Sequence, residues 1–291
     1  MSIVYLNGEF IPKGEASISV DDRGFLLSDG VYEVTPFYDG VAFRLDHHLA
    51  RLDRSLRELG ILFGTEGLAE VHHHLVAENG LENEIRSLVY LQITRGVAPR
   101  THYFPPEPVP ATVYAYAKPW ERPPEDVWSQ GFTAITVPDE RWLRVDIKTI
   151  SLLANALAFQ AARDAGADDA LLVRGEVAIE GAHQNFFAVF DGMLVTHPES
   201  NLILPGITRD AVLGLAGDCG IPVEQRPIRV EELADADELF FTGTTGEVRP
   251  CVQVDGESIG TGRPGDVTVA LSQAFLNLVQ KTTKEGMAAL G

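Results

Sequence analysis

Short strand-like segments joined by tight turns constrain the fold of this chain most strongly. Asn7-Gly8 separates two such segments, and Asp39-Gly40 separates 31–37 from 41–45. Dipeptides of this kind favour β-hairpin turns, so they predict antiparallel strand pairs. Later strand patterns alternate with helical ones and are joined mostly by short links, at 132–137, 170–174, 186–190 and 194–197. Because strands outnumber helices, antiparallel or mixed sheets are favoured over a doubly wound parallel sheet.

Two helices are predicted in the first third of the chain. Leucines recur at helical spacing from Leu49 to Leu59, with Asp46 as the expected N-cap and Gly60 as the end. A second helix is expected over 68–78, and it contains three consecutive histidines, 72–74. The histidine run has neither a cysteine nor an opposed pair of ligands beside it, so no metal site is predicted there.

The length of the chain favours two domains. A chain of 291 residues exceeds the usual size of a single core, although one α/β unit of this size is also possible. The stretch 119–126 is rich in proline and charge, which is typical of a linker. We therefore predict a small α/β domain over 1–118, a linker over 119–126 and a larger domain over 127–291.

Composition excludes several classes of function. The net charge is −19 and the isoelectric point is near 4.7, with no basic stripe, so no nucleic acid is expected as a partner. No apolar run reaches membrane-spanning length, and the first residues lack the pattern of a signal peptide. Two cysteines are too few for a disulfide framework. These features predict a cytoplasmic protein that does not bind membranes.

Lys148 is the residue that points most directly to chemistry. It is the only lysine between Lys118 and Lys281, and it stands at the edge of an apolar run. Among basic side chains only lysine supplies an amine that can attack a carbonyl, and partial loss of hydration favours the neutral nucleophile. A solvent-facing charge is the simple alternative, so the rest of the chain has to decide between them.

Other segments offer groups that bind anions. A turn at 205–206 leads into a helix that starts near Thr208, where backbone N–H groups suit a phosphate. The turn 242–246 follows a strand and offers hydroxyl groups, including that of Thr244. Arg51 follows His48 by one helical turn. An ordinary helix start, turn or surface charge would explain each of these segments taken alone.

Two further segments carry isolated charges. Glu180 stands in an apolar strand, where a carboxylate needs a cation as partner. Arg100 and His102 lie in one loop, on the same side of the chain if it is locally extended. A solvated loop is the alternative for this pair.

In chain order, these segments resemble the fold-type IV family of pyridoxal-phosphate enzymes, and within it they are most similar to bacterial D-amino acid transaminases. The strongest matching segments are 146–148, 180–181 with 185–186, 205–209 and 242–247. The resemblance implies an α/β fold of the α+β type, with a smaller α/β domain and a larger domain built on a mixed, barrel-like sheet. It also implies a cofactor at the domain interface and a homodimer with shared active sites.

The resemblance assigns a role to each candidate residue. Lys148 would be the catalytic residue, forming a Schiff base with pyridoxal 5'-phosphate and moving the substrate proton. Glu180 would pair with the pyridine nitrogen. The phosphate would be held by Arg51, the N–H groups of Ile207 and Thr208, and Thr244.

The expected substrates are a D-amino acid, of the D-alanine or D-glutamate type, and a 2-oxo acid. In the enzymes that this chain resembles, residues equivalent to Tyr32, Arg100 and His102 bind the α-carboxylate, the latter two from the neighbouring subunit. Two parallel hydrogen bonds from an arginine fix the orientation of a carboxylate as well as its affinity.

The chain departs from the family pattern at several positions. Residues 182–184 are Ala-His-Gln where small hydroxyl residues are common. Gly243 is closer to the branched-chain transaminases, and Arg249 adds a cation without an expected partner. Arg141, seven residues before Lys148, is expected either beside the cofactor ring or in a structural ion pair.

These departures leave three alternatives. The first is an (R)-amine or branched-chain amino acid transaminase of the same fold. The second is an aminodeoxychorismate lyase, which uses the same Schiff base to eliminate pyruvate. The third is a cofactor-binding protein without catalytic activity, which the presence of Lys148 disfavours.

Overall fold

The computed structural model describes residues 2–290, which divide into two compact units. Unit 1 comprises 2–121, Ile147–Ser151 and 281–290, and unit 2 comprises Arg122–Asp146 and Leu152–Gln280. The chain first passes from unit 1 to unit 2 inside the predicted linker 119–126. Two segments that lie beyond this linker, 147–151 and 281–290, nevertheless belong to unit 1.

Unit 1 is an antiparallel sheet covered by helices. Its sheet has the order β2-β1-β6-β5-β3-β4, and every pairing in it is antiparallel. The strands are β1 (Ile3–Leu6), β2 (Glu9–Pro12), β3 (Gly30–Tyr38), β4 (Val41–Ala42), β5 (Arg86–Thr94) and β6 (Thr112–Pro119). The helices are α1 (Arg23–Leu27), α2 (Leu45–Leu59) and α3 (Leu68–Glu78), with a 3-10 turn at Lys13–Glu15.

Alternation along the strands builds the core of unit 1. Val89, Leu91 and Ile93 occupy every second position of β5 and are buried with leucines of α2 and α3. Successive side chains of a strand point to opposite faces, so the other face is left for Tyr90 and its neighbours. A sheet that is apolar on one face can be covered by amphipathic helices.

The start of α2 corrects one prediction. The N-cap residue is Arg44, in a left-handed conformation with φ 53°, and Asp46 lies inside the first turn. The Asp46 carboxylate accepts a hydrogen bond from His47 at 2.9 Å instead of capping the helix. β4 ends at Ala42, three residues before the predicted strand end, and the helix already begins at Leu45.

Unit 2 is built on one large mixed sheet. The order is β12-β11-β10-β14-β15-β7-β8-β9-β13, with β16 paired to β15. The strands are β7 (Phe132–Pro138), β8 (Asp169–Arg174), β9 (Val177–Gly181), β10 (Asn185–Phe190), β11 (Met193–Thr196), β12 (Val223–Gln225), β13 (Ile228–Arg229), β14 (Glu238–Gly243), β15 (Glu247–Val254) and β16 (Glu257–Ser258). Three pairings are parallel, β7 with β8, β7 with β15 and β11 with β12. The predicted mixed, curled sheet is confirmed.

The remaining helices are α4 (Glu125–Trp128), α5 (Leu153–Asp164), α6 (Ile207–Asp218) and α7 (Asp266–Leu290), with a 3-10 segment at Val230–Asp235; α7 begins in unit 2, and its residues from 281 onward belong to unit 1. Phe186 and Phe241 pack in the main core, and their ring centroids are 5.5 Å apart. No helix among residues 2–290 combines the length and the apolar character needed to cross a bilayer. The described residues also contain no cluster of histidine, cysteine and acidic side chains that could hold a metal ion.

His72 is a buried histidine on α3. Its Nδ1 lies 2.7 Å from the Leu68 carbonyl oxygen and its Nε2 lies 3.4 Å from Thr35 Oγ1. Burial lowers the pKa of His72 to about 4, although the bond to Leu68 acts in the opposite direction. The imidazole is therefore neutral in the folded protein at pH 5 to 7, whereas an unfolded chain takes up a proton there.

We predict that His72 makes the protein sensitive to acid. Since the folded pKa is lowered, its contribution to stability is complete above the ordinary pKa of histidine and is lost as the pH falls toward 4. The expected loss between pH 7 and pH 4.5 is about 2 kcal/mol. Urea unfolding of the wild type and of His72→Asn at both pH values measures it, and the variant should lose less stability than the wild type. The exposed neighbour His73, changed to Asn, is the control, and equal pH dependence in all three proteins would contradict the prediction.

Candidate functional site

Lys148 is fixed in unit 1 by backbone bonds to β3. Its carbonyl oxygen accepts from the Tyr32 N–H at 3.0 Å, and the Ile150 N–H donates to the Gly30 carbonyl oxygen at 3.1 Å. The Lys148 N–H donates to Ser55 Oγ on α2 at 3.3 Å. The segment 147–151 therefore runs beside the start of β3, and this contact explains why it belongs to unit 1.

The Lys148 amine lies over an aromatic ring. Nζ is 4.2 Å from the centroid of the Tyr32 ring, and both residues are half-buried. Tyr32 stacks on Tyr90 at 5.7 Å, and Tyr90 stacks on Tyr116 at 5.2 Å. Burial, with the neighbouring phenols, raises the pKa of Tyr90 above its ordinary value. The structure thus brings together Lys148 and Tyr32, two of the predicted site residues, on a surface of phenol rings.

Arg51 forms a buried ion pair that the sequence does not predict. Its Nε and Nη2 donate to the two oxygens of Glu33 at 2.8 and 2.9 Å. Glu33 Oε2 is also 2.8 Å from His48 Nδ1. Burial alone would raise the pKa of Glu33, but Arg51 and His48 outweigh it and hold that pKa well below its usual range. Burial lowers the pKa of His48, although Glu33 opposes this effect. Glu33 therefore fixes the orientation of the Arg51 guanidinium.

Glu180 is a buried carboxylate of unit 2, and its cationic partner is Arg141. Arg141 Nη1 donates to Glu180 Oε1, and the same guanidinium bonds Asp139 at 2.8 and 3.0 Å. The Arg141 side chain is only 6% exposed. Burial raises the pKa of Glu180, while Arg141 and the Leu204 N–H act to lower it. Arg141 was expected either beside the cofactor ring or in a structural ion pair. The structure shows an ion pair, and its partner, Glu180, is the residue predicted to face the ring.

Asn185 connects Glu180 to the start of α6. Its Nδ2 donates to Glu180 Oε2 at 2.9 Å and to the Leu204 carbonyl oxygen at 2.8 Å. A Cβ at Gly206 would lie 1.9 Å from Asn185 Oδ1, so a side chain at this position would displace the Asn185 amide from its hydrogen bonds. Gly206 is the N-cap of α6, and no side chain caps the helix there. Ile207 and Thr208 then form the first turn, where the helix dipole favours an anion.

Thr244 and the pair Arg100 and His102 complete the predicted set. Thr244 is half-buried in the turn between β14 and β15, in unit 2. Arg100 and His102 are exposed in the loop between β5 and β6, in unit 1. Neither of these two side chains forms an ion pair with any described residue of the chain. They are thus available to a ligand that approaches from outside unit 1.

The geometry adds residues that sequence reasoning did not single out. Asn185 and Glu33 orient predicted site residues through direct hydrogen bonds. Both are polar residues in strands that are otherwise mostly apolar, and Asn185 also lies in the matching segment 185–186, but neither residue was assigned a role from the sequence. A buried polar group needs a partner, so its presence in such a strand indicates a network.

Comparison with known proteins identifies the family. The family model described as "Amino-transferase class IV" matches residues 30–254, a range that includes every predicted site residue. The D-alanine aminotransferase of Staphylococcus haemolyticus is 41% identical over 282 residues, 96% of this chain and 99% of that protein. The D-alanine aminotransferase of Bacillus licheniformis is 39% identical over 280 residues, 96% of this chain and 98% of that protein.

The fold agrees with the sequence comparison. The branched-chain amino acid aminotransferase of Escherichia coli superposes with a TM-score of 0.85 at 30% identity, over 96% of this chain and 94% of that structure. Another branched-chain amino acid aminotransferase, solved with pyridoxamine 5'-phosphate, superposes with a TM-score of 0.88 at 30% identity. That match covers 97% of this chain and 95% of the other structure. This chain belongs to the class IV aminotransferase family.

Proposed function

We propose that this protein is a pyridoxal-phosphate-dependent transaminase that moves an amino group between a D-amino acid, of the D-alanine or D-glutamate type, and a 2-oxo acid. The observation that carries the proposal is its similarity to D-alanine aminotransferases over nearly the full length of both chains. The structure supports it with a half-buried lysine amine and a buried carboxylate that is paired with a cation.

The residues present fit the cofactor by their chemistry. Bound pyridoxal phosphate would supply an electrophilic aldehyde and a ring that accepts electrons from the substrate. Lys148 supplies the amine that attaches the cofactor and carries the substrate proton on Nζ. The phosphate is assigned to Arg51, the N–H groups of Ile207 and Thr208, and Thr244. An uncapped helix start and an oriented guanidinium are both suited to such an anion.

Glu180 is assigned to the nitrogen of the pyridine ring. An ionised carboxylate beside the ring nitrogen stabilises the protonated ring by its charge; burial raises the pKa of Glu180, and Arg141 and the Leu204 N–H act against burial to favour the ionised form. Arg141 and Asn185 fix its two oxygens and prevent it from turning away. A protonated ring nitrogen strengthens the electron acceptor, which is what proton removal from the substrate requires.

The substrate carboxylate is assigned to Tyr32, Arg100 and His102. Arg100 and His102 are exposed and form no ion pair with a described carboxylate of their own chain, as expected if they serve the site of a second subunit. We therefore propose a homodimer in which each subunit lends its loop to the other. We also propose a cytoplasmic location, supported by the two cysteines, both of which are free.

A half-reaction distinguishes the stereochemistry. Mixing the holoprotein with D-alanine should convert the absorption of the bound aldehyde cofactor to that of the amine form, because a D-amino acid places its Cα proton toward Lys148. L-alanine should react at least about a hundredfold more slowly. Rapid-mixing absorbance spectroscopy measures both rates.

The same half-reaction, together with an assay for pyruvate release, tests the alternatives. Conversion by L-alanine or L-leucine alone would contradict the proposal and favour a branched-chain transaminase, the class of the two solved structures described above. Release of pyruvate from aminodeoxychorismate without an amino acceptor would instead indicate the lyase. A holoprotein that reacts with no amino donor would indicate a binding protein.

Complementation between subunits tests the role of Arg100. Arg100→Ala should raise the KM for D-alanine by about tenfold to a hundredfold, because a charged hydrogen bond to the carboxylate is lost. Lys148→Ala should be inactive. Coexpression of the two variants should yield heterodimers with one intact site and the wild-type KM, since the intact Arg100 and Lys148 then meet across subunits.

Arg263→Ala, at an exposed arginine of unit 2, is the control and should leave the KM unchanged. Heterodimers that keep the raised KM of Arg100→Ala would show that the residue does not act across subunits. An unchanged KM in the single variant would remove Arg100 from the substrate site altogether.

A further inference from the structure

The departures from the family pattern at 182–184 have separate structural explanations. Ala182 packs with Ala158 and Ala162 of α5, and His183 is exposed beside Phe159, with ring centroids 5.2 Å apart. Gln184 is the polar residue of the three that turns inward, and it is 5% exposed. Its backbone carbonyl accepts from the Gly181 N–H at 2.7 Å, which holds it in the turn between β9 and β10.

The Gln184 side chain is held by a buried carboxylate. Its Nε2 donates to Asp169 Oδ2, and Asp169 is 1% exposed. The same Oδ2 accepts from Arg249 Nη1 at 3.4 Å, and the Arg249 guanidinium lies 4.0 Å from the centroid of the Phe132 ring. The sequence suggested no partner for Arg249, and the structure shows that it bonds Asp169. It balances the charge of the carboxylate that orients Gln184.

The other end of Gln184 packs against the turn that carries Thr244. A Cβ at Gly246 would lie 2.3 Å from Gln184 Oε1, and a Cβ at Gly243 would lie 3.0 Å from Gln184 Cγ. Neither glycine has a positive φ, so backbone conformation does not require glycine at these positions. The space that their missing side chains leave is filled by Gln184. Gln184 Oε1 has no hydrogen-bond partner among the described residues, which is consistent with contact by packing.

We propose that Gln184 is a positioning residue for the 243–246 turn, and that it and the two glycines form one size-matched unit. Asp169 and Arg249 fix the amide, the amide fixes the turn, and the turn sets the position of Thr244. This inference rests on the proposed function, in which Thr244 binds the cofactor phosphate. It assigns to Gln184 the task of placing that donor.

The experiment measures binding of two ligands to the cofactor-free protein. Pyridoxal 5'-phosphate and pyridoxal differ only in the phosphate, so a fault in the position of Thr244 should affect only the first. Gly246→Ser forces a side chain against Gln184 and should raise the Kd of pyridoxal phosphate about tenfold. The Kd of pyridoxal should stay within about twofold. Fluorescence titration gives both constants.

The double variant Gln184→Ser/Gly246→Ser should recover in part. The smaller side chain at 184 makes room for the serine at 246, so the Kd of pyridoxal phosphate should fall at least about threefold below that of Gly246→Ser, without reaching the wild-type value because the amide bonded to Asp169 is lost. Gly217→Ser is the matched control, since a Cβ at Gly217 meets nothing within 4 Å. It should bind both ligands as the wild type does.

If Gly246→Ser does not fold, two variants of Gln184 test the proposal instead. Gln184→Ala removes the packing and should raise the Kd of pyridoxal phosphate, whereas Gln184→Met retains most of the side-chain length and should raise it less. The inference is overturned if these Kd values equal the wild type's, if the double variant fails to recover, or if pyridoxal binding weakens equally. A wild type that binds no pyridoxal phosphate would overturn the proposed function itself.

Discussion

The attachment of the segment 147–151 to β3 is the interaction on which the candidate site depends. Two backbone hydrogen bonds, at 3.0 and 3.1 Å, join it to the start of β3, and a third bond, at 3.3 Å, joins it to Ser55 of α2. These bonds hold Lys148 on unit 1, although the chain before Ile147 and after Ser151 belongs to unit 2. A backbone contact of this kind positions a side chain without using that side chain, so the amine stays available over the Tyr32 ring.

Buried carboxylates organise the cations within each unit. Glu33 orients Arg51 in unit 1, and in unit 2 Glu180 and Asp139 share Arg141, while Asp169 joins Gln184 to Arg249. Each carboxylate is almost fully buried, so loss of its partner would leave an unpaired charge in a poorly solvated place. These pairs are poor candidates for sources of stability. Their value lies in orientation: Glu33 fixes Arg51, Arg141 fixes Glu180, and Asp169 fixes Gln184, which lies against glycines of the turn that carries Thr244.

Local pattern in the sequence predicted much of the fold. Strand alternation and tight turns predicted the hairpins of unit 1, and α3 has the predicted bounds, 68–78. The predicted start of α2 was wrong. The helix begins after Arg44, which has a left-handed conformation, and Asp46 does not cap it. The assignment of 147–151 to unit 1 depends on contacts with residues more than ninety positions away, which periodicity does not encode. The partners of Arg51 and Arg249 could not be predicted either, because they lie on other elements of the fold. The need of Glu180 for a cationic partner could be predicted, because its strand is otherwise apolar.

The central claim is that Lys148 is the amine that binds the cofactor, and chemical trapping tests it most directly. Borohydride reduction of the holoprotein, followed by proteolysis and mass spectrometry of the peptides, locates the lysine that carries the pyridoxyl group. The account predicts modification of Lys148 alone. Modification of another lysine, namely Lys13, Lys118, Lys281 or Lys284, or the absence of any stable adduct, would contradict it.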